Sequence, residues 1–457
     1  MSPSTRRPER LPGATAVILA AGVGSRMHSA QPKVLHPLLG RPMALWVVAA
    51  ALEACAEAPV VVLSPATEAL RDQLPPNSRV AIQAEPRGTG DAVRAAIAAL
   101  PAGARELLIA CGDTPLISAD DLRAVAVARQ EAKAPIALAA FVAADPTGYG
   151  RVTCDDDGRA LAITEERDAD EETREIDLVN AGLYAVDRAW LEGHINSIAA
   201  SGATGEIYLT SLVATAAAEG TPAAIYVGDA TELEGVNDRR QFADALAGLR
   251  ERINEAHMAS GVLLVDPTTA WIEPTVSIAP DATIEPGVHL CGATSIGAKS
   301  SIGSGSRLTD AEIGSGCTVR SSVVTSSKVA DGADIGPFAH VRAGCSIGER
   351  AHIGNFAELK AATIAAGAKV GHHCYLGDVE VGAQANIGAG TITANYDGAA
   401  KFRTSIGARA FTGVGTLLVA PVSLGEGAKT GAGAVVTKDV PAGELHVGVP
   451  ARLLRKD

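Results

Sequence analysis

Residues 278–308 read IAPDATIEPGVHLCGATSIGAKSSIGSGSRL, and an aliphatic side chain recurs at every sixth position of this stretch. The series continues later in the chain and makes nine steps of six in all. Its members are Ile278, Ile284, Leu290, Ile296, Ile302 and Leu308, then Ile335, Val341, Ile347, Ile353 and Leu359. A period of six fits neither an amphipathic helix nor a two-residue strand alternation. It indicates a parallel β-helix, in which each hexad forms one flat face of a triangular coil.

The composition agrees with this interpretation. Aromatic residues make up 3% of the chain, whereas glycine accounts for 48 of its 457 residues. A narrow triangular prism has room for aliphatic side chains but not for rings. The repeats break at residues 393–404 (TANYDGAAKFRT), which predicts a loop that leaves the coil. Such loops are where functional residues concentrate.

The first half of the chain alternates between predicted strands and helices, which favours a doubly wound, mostly parallel sheet. In such sheets ligands bind at the carboxyl ends of the strands. The predicted strands are 16–21, 60–63, 107–110 and 136–142, and the predicted helices are 42–54, 90–100 and 122–131.

A chain of 457 residues predicts two or three domains. Between the halves, Phe242, Leu246, Leu249 and Ile253 are spaced by four, three and four residues, as on one helix face. The predicted division is a flexible extension at 1–13, an α/β domain at 14–237, a linker helix at 238–260 and a β-helix domain at 261–457.

Charge, cysteines and hydropathy limit the environment and the partners. The net charge of −13 argues against general nucleic-acid binding, since an acidic surface repels phosphate backbones. Seven scattered cysteines without a CxxC pair predict free thiols in a reducing compartment. No apolar run reaches 18 residues, so no membrane span is predicted.

A glycine-rich turn follows the first predicted strand. Residues 19–27 read LAAGVGSRM, and Pro32-Lys33 comes shortly after. Glycines let backbone N–H groups approach phosphate oxygens, and Arg26 and Lys33 supply positive charge. Met27 takes the place of the third glycine of a dinucleotide fingerprint, so that motif is excluded. The alternative is an ordinary strand–helix turn.

A carboxylate follows the strand at 107–110. Asp113 there is placed to hold Mg²⁺ against nucleotide phosphates, or else to cap a helix. Gln83 and the Gly88-Thr89-Gly90 turn form a further small-residue entry into a helix, against which a base or phosphate could pack.

Together these motifs resemble one enzyme family over residues 14–452. The ordered set also contains TGYGR at 147–151, EERD at 165–168, NAG at 180–182, GVND at 235–238 and, in the hexads, HHCYLGD at 372–378 with NYDG at 395–398. It resembles the bifunctional N-acetylglucosamine-1-phosphate uridylyltransferase / glucosamine-1-phosphate N-acetyltransferase family. The resemblance implies a left-handed β-helix, a homotrimer, a cytoplasmic location and synthesis of UDP-N-acetylglucosamine from glucosamine-1-phosphate, acetyl-CoA and UTP, through N-acetylglucosamine-1-phosphate.

For uridylyl transfer the resemblance implies Mg²⁺ ligands, a phosphate-stabilising pair and contacts to UTP and the sugar. The metal ligands would be Asp113 and Asn237, and the pair would be Arg26 and Lys33. The contacts would come from Leu19, Ala20, Ala21, Gly22, Lys33, Gln83, Gly88, Thr89, Gly150, Glu165, Asn180, Thr210 and Asn237.

For acetyl transfer the resemblance makes His372 the general base and Glu358 the residue that orients it. The glucosamine-1-phosphate contacts would be Arg342, Lys360, Tyr375, Asn386, Asn395 and Lys401. The acetyl-CoA contacts would be Ala389, Asn395, Tyr396 and Ala432. Val414 and Val449 depart from the family pattern, which often has Ser and Arg there; Arg452 or Arg455 could replace the arginine.

Two alternatives stay open at this stage. The nucleotidylyltransferase could prefer another sugar or nucleotide, and the β-helix could be a trimerisation scaffold without chemistry. The cluster of His372, Lys360 and Arg342 argues against a scaffold, because a scaffold needs no such charges on a coil.

Overall fold

The structure, a computed structural model, describes residues 10–201 and 205–454 and divides the chain into two compact units, Met1–Leu249 and Arg250–Asp457. Residues 1–9 of the predicted extension and the candidate Arg455 lie outside the described ranges. The domain limits at residues 237 and 260 remain a proposal.

The first unit is built on a sheet whose strand order is β11-β7-β10-β6-β1-β4-β5. The strands of the unit are β1 Ala14–Leu19, β2 Pro37–Leu38, β3 Arg41–Pro42, β4 Val60–Leu63, β5 Arg79–Ile82, β6 Glu106–Cys111, β7 Ile136–Val142, β8 Arg151–Cys154, β9 Ala160–Thr164, β10 Leu178–Asp187 and β11 Ala224–Val227. Strands β8 and β9 extend this sheet beside β10, whereas β2 and β3 form a separate two-stranded sheet. The α-helices that begin in it are α1 Met43–Ala54, α2 Thr89–Ala96, α3 Ala119–Ala132, α4 Glu171–Arg174, α5 Arg188–His194, α6 Ser211–Ala218, α7 Ala230–Leu233 and α8 Arg239–Ala259.

The central strands are buried on both faces, which explains their unbroken apolar runs. In β1, Ala16 and Ile18 belong to one core cluster with α1 and α3, and Val17 belongs to the opposite cluster with α2 and α6. Strands β6, β1, β4 and β5 pair in parallel, whereas β10 runs antiparallel between β6 and β7. The predicted, mostly parallel α/β sheet is therefore confirmed.

Element bounds follow the sequence pattern closely, with one interruption. The strands predicted at 60–63 and 136–142 are found at those residues. The α-helix predicted at 90–100 is shorter in the structure. Helix α2 ends at Ala96, and a 3₁₀ helix, Ile97–Ala99, follows. Pro101 comes two residues later, where its ring would prevent continuation of the helix.

Helix α8 begins at a cap formed by Asp238 and Gln241. The Asp238 carboxylate accepts the N–H of Gln241 at 2.9 Å, and the Gln241 side chain accepts the N–H of Asn237 at 2.8 Å. In the second unit the same helix is held by Asn254, which is fully buried and donates to the Pro267 and Ala270 carbonyls at 2.7 and 3.0 Å. No helix in the described ranges is both long and apolar enough to cross a membrane.

The second unit consists of short strands stacked in coils. In chain order they are β12 to β40: Leu263–Leu264, Trp271–Ile272, Ser277–Ile278, Thr283–Ile284, His289–Cys291, Ser295–Ile296, Ser301–Ile302, Arg307–Thr309, Glu312–Ile313, Thr318–Val319, Val323–Thr325, Lys328–Val329, Asp334–Ile335, His340–Val341, Ser346–Ile347, His352–Ile353, Glu358–Ile364, Lys369–Val370, Tyr375–Val381, Asn386–Ile387, Ile392–Ala394, Thr404–Ile406, Phe411–Thr412, Leu417–Val419, Val422–Leu424, Lys429–Thr430, Val435–Val436, Leu445–Val447 and Arg452–Leu453.

Parallel pairing with the third strand along the chain shows that three faces make one turn. Ser277 pairs with Ser295, and Thr283 pairs with Ser301. The aliphatics of the hexad series are buried in one continuous core. Between Leu308 and Ile335 this core continues in steps of five and six through Ile313, Val319, Val324 and Val329, so the coil is unbroken where the strict period is lost. The predicted parallel β-helix is confirmed.

The glycine that follows many of these aliphatics is required by the next coil. A methyl group on Gly348 would lie 2.7 Å from the Ala365 carbonyl carbon, and one on Gly297 would lie closer still to that of Gly314. A methyl group on Gly354 would overlap the Gly371 carbonyl oxygen. Side chains are excluded there because hydrogen-bonded strands lie only about 4.8 Å apart.

Gly354→Ala should therefore lower the stability of the β-helix by about 2 kcal/mol through overpacking. The matched control is Gly371→Ala on the following coil, where the new methyl group would lie 3.8 Å from the nearest atom, the Ile387 carbonyl oxygen. Calorimetric unfolding of the full chain should show a lower transition midpoint for Gly354→Ala only. Equal midpoints for both variants would contradict this account.

Candidate active sites

The first unit has a cleft with two lobes at the carboxyl ends of its central strands. One lobe has a volume of about 300 Å³, the other of about 210 Å³, and both are lined by Leu19, Cys111 and Asp113. The first lobe contains the predicted residues Ala21, Gly22, Lys33, Gln83, Gly88 and Thr89. The second contains Gly150, Glu165, Asn180, Thr210 and Asn237. Ala20, by contrast, is buried in the core below the cleft.

Charged and polar groups meet near Asp113, where the lobes join. The Lys33 ammonium lies 2.5 Å from the Asp113 carboxylate and 3.3 Å from the Asn237 amide oxygen. The Arg26 guanidinium donates to the same amide oxygen at 3.0 Å. Lys33 is held by its backbone N–H, which donates to Val23 across the glycine-rich turn. Two cations and two oxygen ligands from distant parts of the chain are thus assembled at one point.

Contacts in the first lobe fix the orientation of Gln83. Its amide NH₂ donates to the Gly88 carbonyl at 3.1 Å and to Asp91 at 2.9 Å. Glycine is needed at 88, since its φ is +108° and a methyl group there would lie 2.5 Å from the Ile207 carbonyl oxygen. With both amide hydrogens engaged, the Gln83 carbonyl oxygen is the atom that can accept a hydrogen bond from a ligand.

The second lobe contains a partly buried carboxylate. The Thr210 hydroxyl donates to Glu165 at 2.9 Å, and burial raises the pKa of Glu165 above its ordinary value of 4.5. Nearby, the Asn180 amide donates to the Tyr184 hydroxyl at 2.7 Å. Gly150 admits no side chain, because a methyl group there would lie 2.8 Å from Ile163. The lobe is therefore polar, closely walled and suited to a ligand with hydroxyl and amide groups.

A buried ion pair supports this lobe from below, and sequence reasoning gave it no role. Arg151 is only 2% exposed; its guanidinium contacts the Tyr149 carbonyl and lies 2.8 Å from Glu166. Glu166 also accepts the Gly148 N–H at 3.0 Å, and that contact first, then Arg151, lowers the pKa of its carboxyl. The signal was an arginine directly after the GYG turn, but sequence alone does not show that it is buried.

In the second unit, one corner of the coil aligns residues from successive turns. Strand register places Asn355, His372, Ala389, Val414 and Ala432 one above another. Backbone bonds join them, from His373 N–H to the Asn355 carbonyl at 3.1 Å and from Gly390 N–H to the His372 carbonyl at 3.0 Å. We call these five residues the corner ladder. It brings the predicted base beside Ala389, one of the predicted acetyl-CoA contacts, and places Val414 between Ala389 and a second such contact, Ala432.

The adjoining face carries a cationic cluster. Arg342 forms an ion pair with Glu358 at 2.9 Å. Lys401 and, after it, Arg342 lower the pKa of the Lys360 ammonium, as expected for like charges in close approach. On the next coil Lys360 pairs with Gly377, where a methyl group would lie 2.7 Å from both the Tyr375 hydroxyl and the Asn395 amide nitrogen. Such a cluster is suited to bind a phosphate group.

The loop predicted to leave the coil delivers Lys401 to this cluster. Residues 395–403 lie between β32 and β33, and an isolated bridge joins Tyr396 to Lys401. The Phe402 N–H donates to the Asn395 carbonyl at 2.8 Å, and the Asn395 side chain donates to Asp378 at 2.5 Å. Both ends of the loop are therefore fixed, and Asn395 lies beside the Tyr375 hydroxyl at Gly377.

Other predicted residues have different neighbours from those expected. Glu358 is paired with Arg342, and the side chain that contacts the His372 ring is Asn355. Asn386 lies on a strand of the other coil sheet, between Lys369 and Phe411. Val449 and Arg452 are both exposed.

Comparisons with known proteins match one part of the chain to a family model and 95% of the chain to proteins of one name. A family model described as a MobA-like NTP transferase domain matches residues 16–175. The chain is 45% identical to the bifunctional protein GlmU of Sorangium cellulosum, covering 95% of this chain and 93% of that protein. It is 42% and 41% identical to proteins of the same name from Kineococcus radiotolerans and Mycobacterium tuberculosis, each match covering 95% of this chain and 90% of the relative.

The neighbours Glu165 and Glu166 should respond to pH in opposite ways. A raised carboxyl pKa means that the folded state binds the proton more tightly, so the contribution of Glu165 to stability falls as pH rises above 4.5. A lowered pKa means that the contribution of Glu166 is present above 4.5 and is lost as pH falls below it. The stability of Glu165→Gln relative to the wild type should therefore increase as pH rises.

Glu166→Gln is the matched control. Its free energy of unfolding should be lower than that of the wild type by about 2 kcal/mol at neutral pH, because the substitution removes a charged partner of buried Arg151. That deficit should shrink below pH 4.5. Thermal midpoints of both variants and the wild type, measured from pH 4 to 8, provide the comparison. Parallel pH profiles for the two variants would show that the two environments do not differ as described.

Proposed function

Because this chain belongs to the GlmU family of bifunctional enzymes, the uridylyltransferases and acetyltransferases of UDP-N-acetylglucosamine synthesis, we propose a role for each side chain of the two sites. The cleft of the first unit would carry out uridylyl transfer, and the corner ladder with its cationic face would carry out acetyl transfer. The observation that carries the proposal is the convergence of Lys33, Arg26, Asp113 and Asn237 where the two lobes meet.

In uridylyl transfer, UTP would occupy the first lobe, with its base near Gln83, Gly88 and Thr89. N-acetylglucosamine-1-phosphate would occupy the second lobe. A phosphate oxygen of the sugar attacks the α-phosphorus of UTP, a new P–O bond forms, and the bond to the β-phosphate breaks to release pyrophosphate. Arg26 and Lys33 stabilise the charge that develops during this in-line transfer. No covalent enzyme intermediate is needed, so positioning supplies most of the catalysis.

The side chains at Asp113 fit Mg²⁺. The ammonium group of Lys33 already lies between the Asp113 carboxylate and the Asn237 amide oxygen, so both oxygens face a cation. Within the described ranges no cluster of three or more His, Cys, Asp or Glu side chains forms a metal site. Mg²⁺ commonly takes one or two protein oxygens and completes its shell with water and substrate phosphates. When bound, it would neutralise charge on the nucleotide phosphates.

The remaining members of the first site would fix the substrates. Lys33 serves both as a charge stabiliser and as a nucleotide contact. Leu19, Ala21 and Gly22 line the lobe for the nucleotide, and Ala20, which is buried in the core, would contribute only through the backbone. Gly150, Glu165, Asn180 and Thr210 would hold the sugar.

In acetyl transfer, the amine of glucosamine-1-phosphate attacks the thioester carbonyl of acetyl-CoA. A C–N bond forms, the C–S bond breaks, CoA leaves as the thiol, and His372 takes the amine proton. Arg342, Lys360 and Lys401 would hold the phosphate, with Tyr375 and Asn395 beside them. Acetyl-CoA would lie along Ala389 and Ala432 of the corner ladder, reached by Asn395 and Tyr396 of the loop, with Asn386 on the adjoining strand.

The buried cysteine beside His372 has no place in this chemistry. Cys374 is 2% exposed, and burial raises the pKa of its thiol. Its sulfur donates to the His372 carbonyl at 3.2 Å, a contact that supports the backbone of the turn.

A homotrimer formed through the β-helix and a cytoplasmic location complete the proposal. They are supported by family membership and by free thiols in every described cysteine. The alternative, a nucleotidylyltransferase whose β-helix is only a scaffold, is disfavoured by the cationic cluster and the corner ladder, since neither is needed for trimerisation.

The test measures both activities in one preparation. Wild type should release CoA thiol from acetyl-CoA and glucosamine-1-phosphate, and pyrophosphate from UTP and N-acetylglucosamine-1-phosphate. His372→Ala should abolish the first reaction and spare the second, and Lys33→Ala should lower the kcat of the second at least 100-fold, as expected for an electrostatic contact. A wild type that releases no CoA thiol at millimolar acetyl-CoA would assign the β-helix to the scaffold alternative.

A further inference from the structure

Asn355 contacts the imidazole of His372, with its side-chain oxygen Oδ1 at the ring nitrogen Nδ1. We propose that Asn355 is a positioning residue that fixes the tautomer of His372. Its Oδ1 accepts the Nδ1 hydrogen, which leaves Nε2 unprotonated and able to take the proton of the substrate amine. This inference rests on the proposed function of His372 as the general base, and it assigns to Asn355 the orienting role that the sequence suggested for Glu358.

The coil itself places the two side chains together. Asn355 and His372 occupy the same corner position on successive turns, since His352 pairs with Lys369 and Ile353 with Val370. The backbone of each is held by a bond to the next turn, at 3.1 Å from the Asn355 carbonyl and 3.0 Å from the His372 carbonyl. The contact is therefore set by backbone geometry and does not depend on two independently rotating side chains coming together.

A stack of rings braces the neighbouring position of the same corner. Phe338 stacks on Phe356 with ring centroids 5.5 Å apart, and Phe356 stacks on His373 at 4.9 Å. These three residues have φ values of 61°, 58° and 50°, a left-handed conformation that is uncommon for such side chains. Because Phe356 follows Asn355 and His373 follows His372, the stack holds both turns in the same orientation.

The chemistry of the amide makes the contact directional. An amide oxygen only accepts hydrogen bonds, so the ring nitrogen facing it must carry the hydrogen. In a neutral imidazole the other nitrogen is then the base, as in metal and catalytic sites where the partner of one nitrogen sets the role of the other. Glu358 pairs with Arg342 at 2.9 Å, and in residues 10–201 and 205–454 no carboxylate forms an ion pair with His372.

Two substitutions separate positioning from packing. Asn355→Leu preserves the size of the side chain but removes the acceptor, whereas Asn355→Asp keeps an acceptor at the same distance. If Asn355 fixes the tautomer, Asn355→Leu should lower the kcat of acetyl transfer about 10- to 100-fold with little change in KM for glucosamine-1-phosphate. Asn355→Asp should recover most of that kcat. Pyrophosphate release in the same preparations should be unchanged and controls for the first unit, and an unchanged thermal midpoint of the β-helix provides the control for folding of the second.

The tautomer can be observed directly by long-range ¹H–¹⁵N correlation of full-length protein labelled at histidine. His372 is assigned from the cross-peaks that disappear in His372→Gln, which distinguishes it from the other nine histidines. The wild type and Asn355→Asp should show a protonated Nδ1 and an unprotonated Nε2. Asn355→Leu should show a mixture of tautomers.

The outcomes distinguish this inference from the function on which it rests. If wild type has no acetyltransferase activity, or His372→Ala keeps it, the general-base assignment fails while the tautomer remains measurable. If His372→Ala is inactive but the wild type carries the hydrogen on Nε2, or Asn355→Leu retains full kcat, Asn355 does not position the base.

Discussion

Backbone hydrogen bonds between successive coils are the constraint on which the second unit depends. They keep neighbouring strands about 4.8 Å apart, a distance that leaves no room for side chains where one corner lies directly over the next. This spacing accounts for the glycines after the aliphatics, as at Gly297 and Gly348. It also aligns residues 17 or 18 apart in sequence, which is how Asn355 meets His372 and how the Arg342 and Lys360 coils come to lie side by side.

The constraint on the first unit is electrostatic, because its site must hold charged side chains in a partly buried cleft. Burial, with smaller contributions from the nearby Asp168 and Glu206 carboxylates, raises the pKa of Glu165, whereas the adjacent Glu166 is stabilised as an anion by a backbone N–H and by Arg151. Two consecutive carboxylates thus have opposite environments at the turn that follows β9, because one lies against Thr210 and the other against Gly148 and Arg151. One faces the ligand lobe, and the other anchors the turn that forms its wall.

Much of this architecture could be predicted from the sequence. The period of six identified the β-helix, and the glycine-rich turn and Asp113 identified the edge of the sheet where the cleft lies. The segment from Leu308 to Ile335 escaped the pattern because its faces have five or six residues, and a strict period cannot detect a coil of variable face length. The partner of His372 escaped it as well. Asn355 carries no charge and belongs to no motif, so only the register of the coils shows that it lies under the imidazole.

The long loop at residues 395–403 has a consequence for how the chain reaches its native state. Across it, paired positions such as Glu380 and Ser405 are separated by 25 residues, whereas Thr363 and Glu380, on the preceding coils, are separated by 17. Most contacts of the coil are therefore local in sequence, which favours rapid, stepwise addition of turns. The loop is the one place along this stretch where a longer segment must close before the next turn can pair, at an entropic cost that grows only logarithmically with its length. The residues needed for acetyl transfer straddle that closure, so the site is completed only after the loop has closed and the next turn has paired.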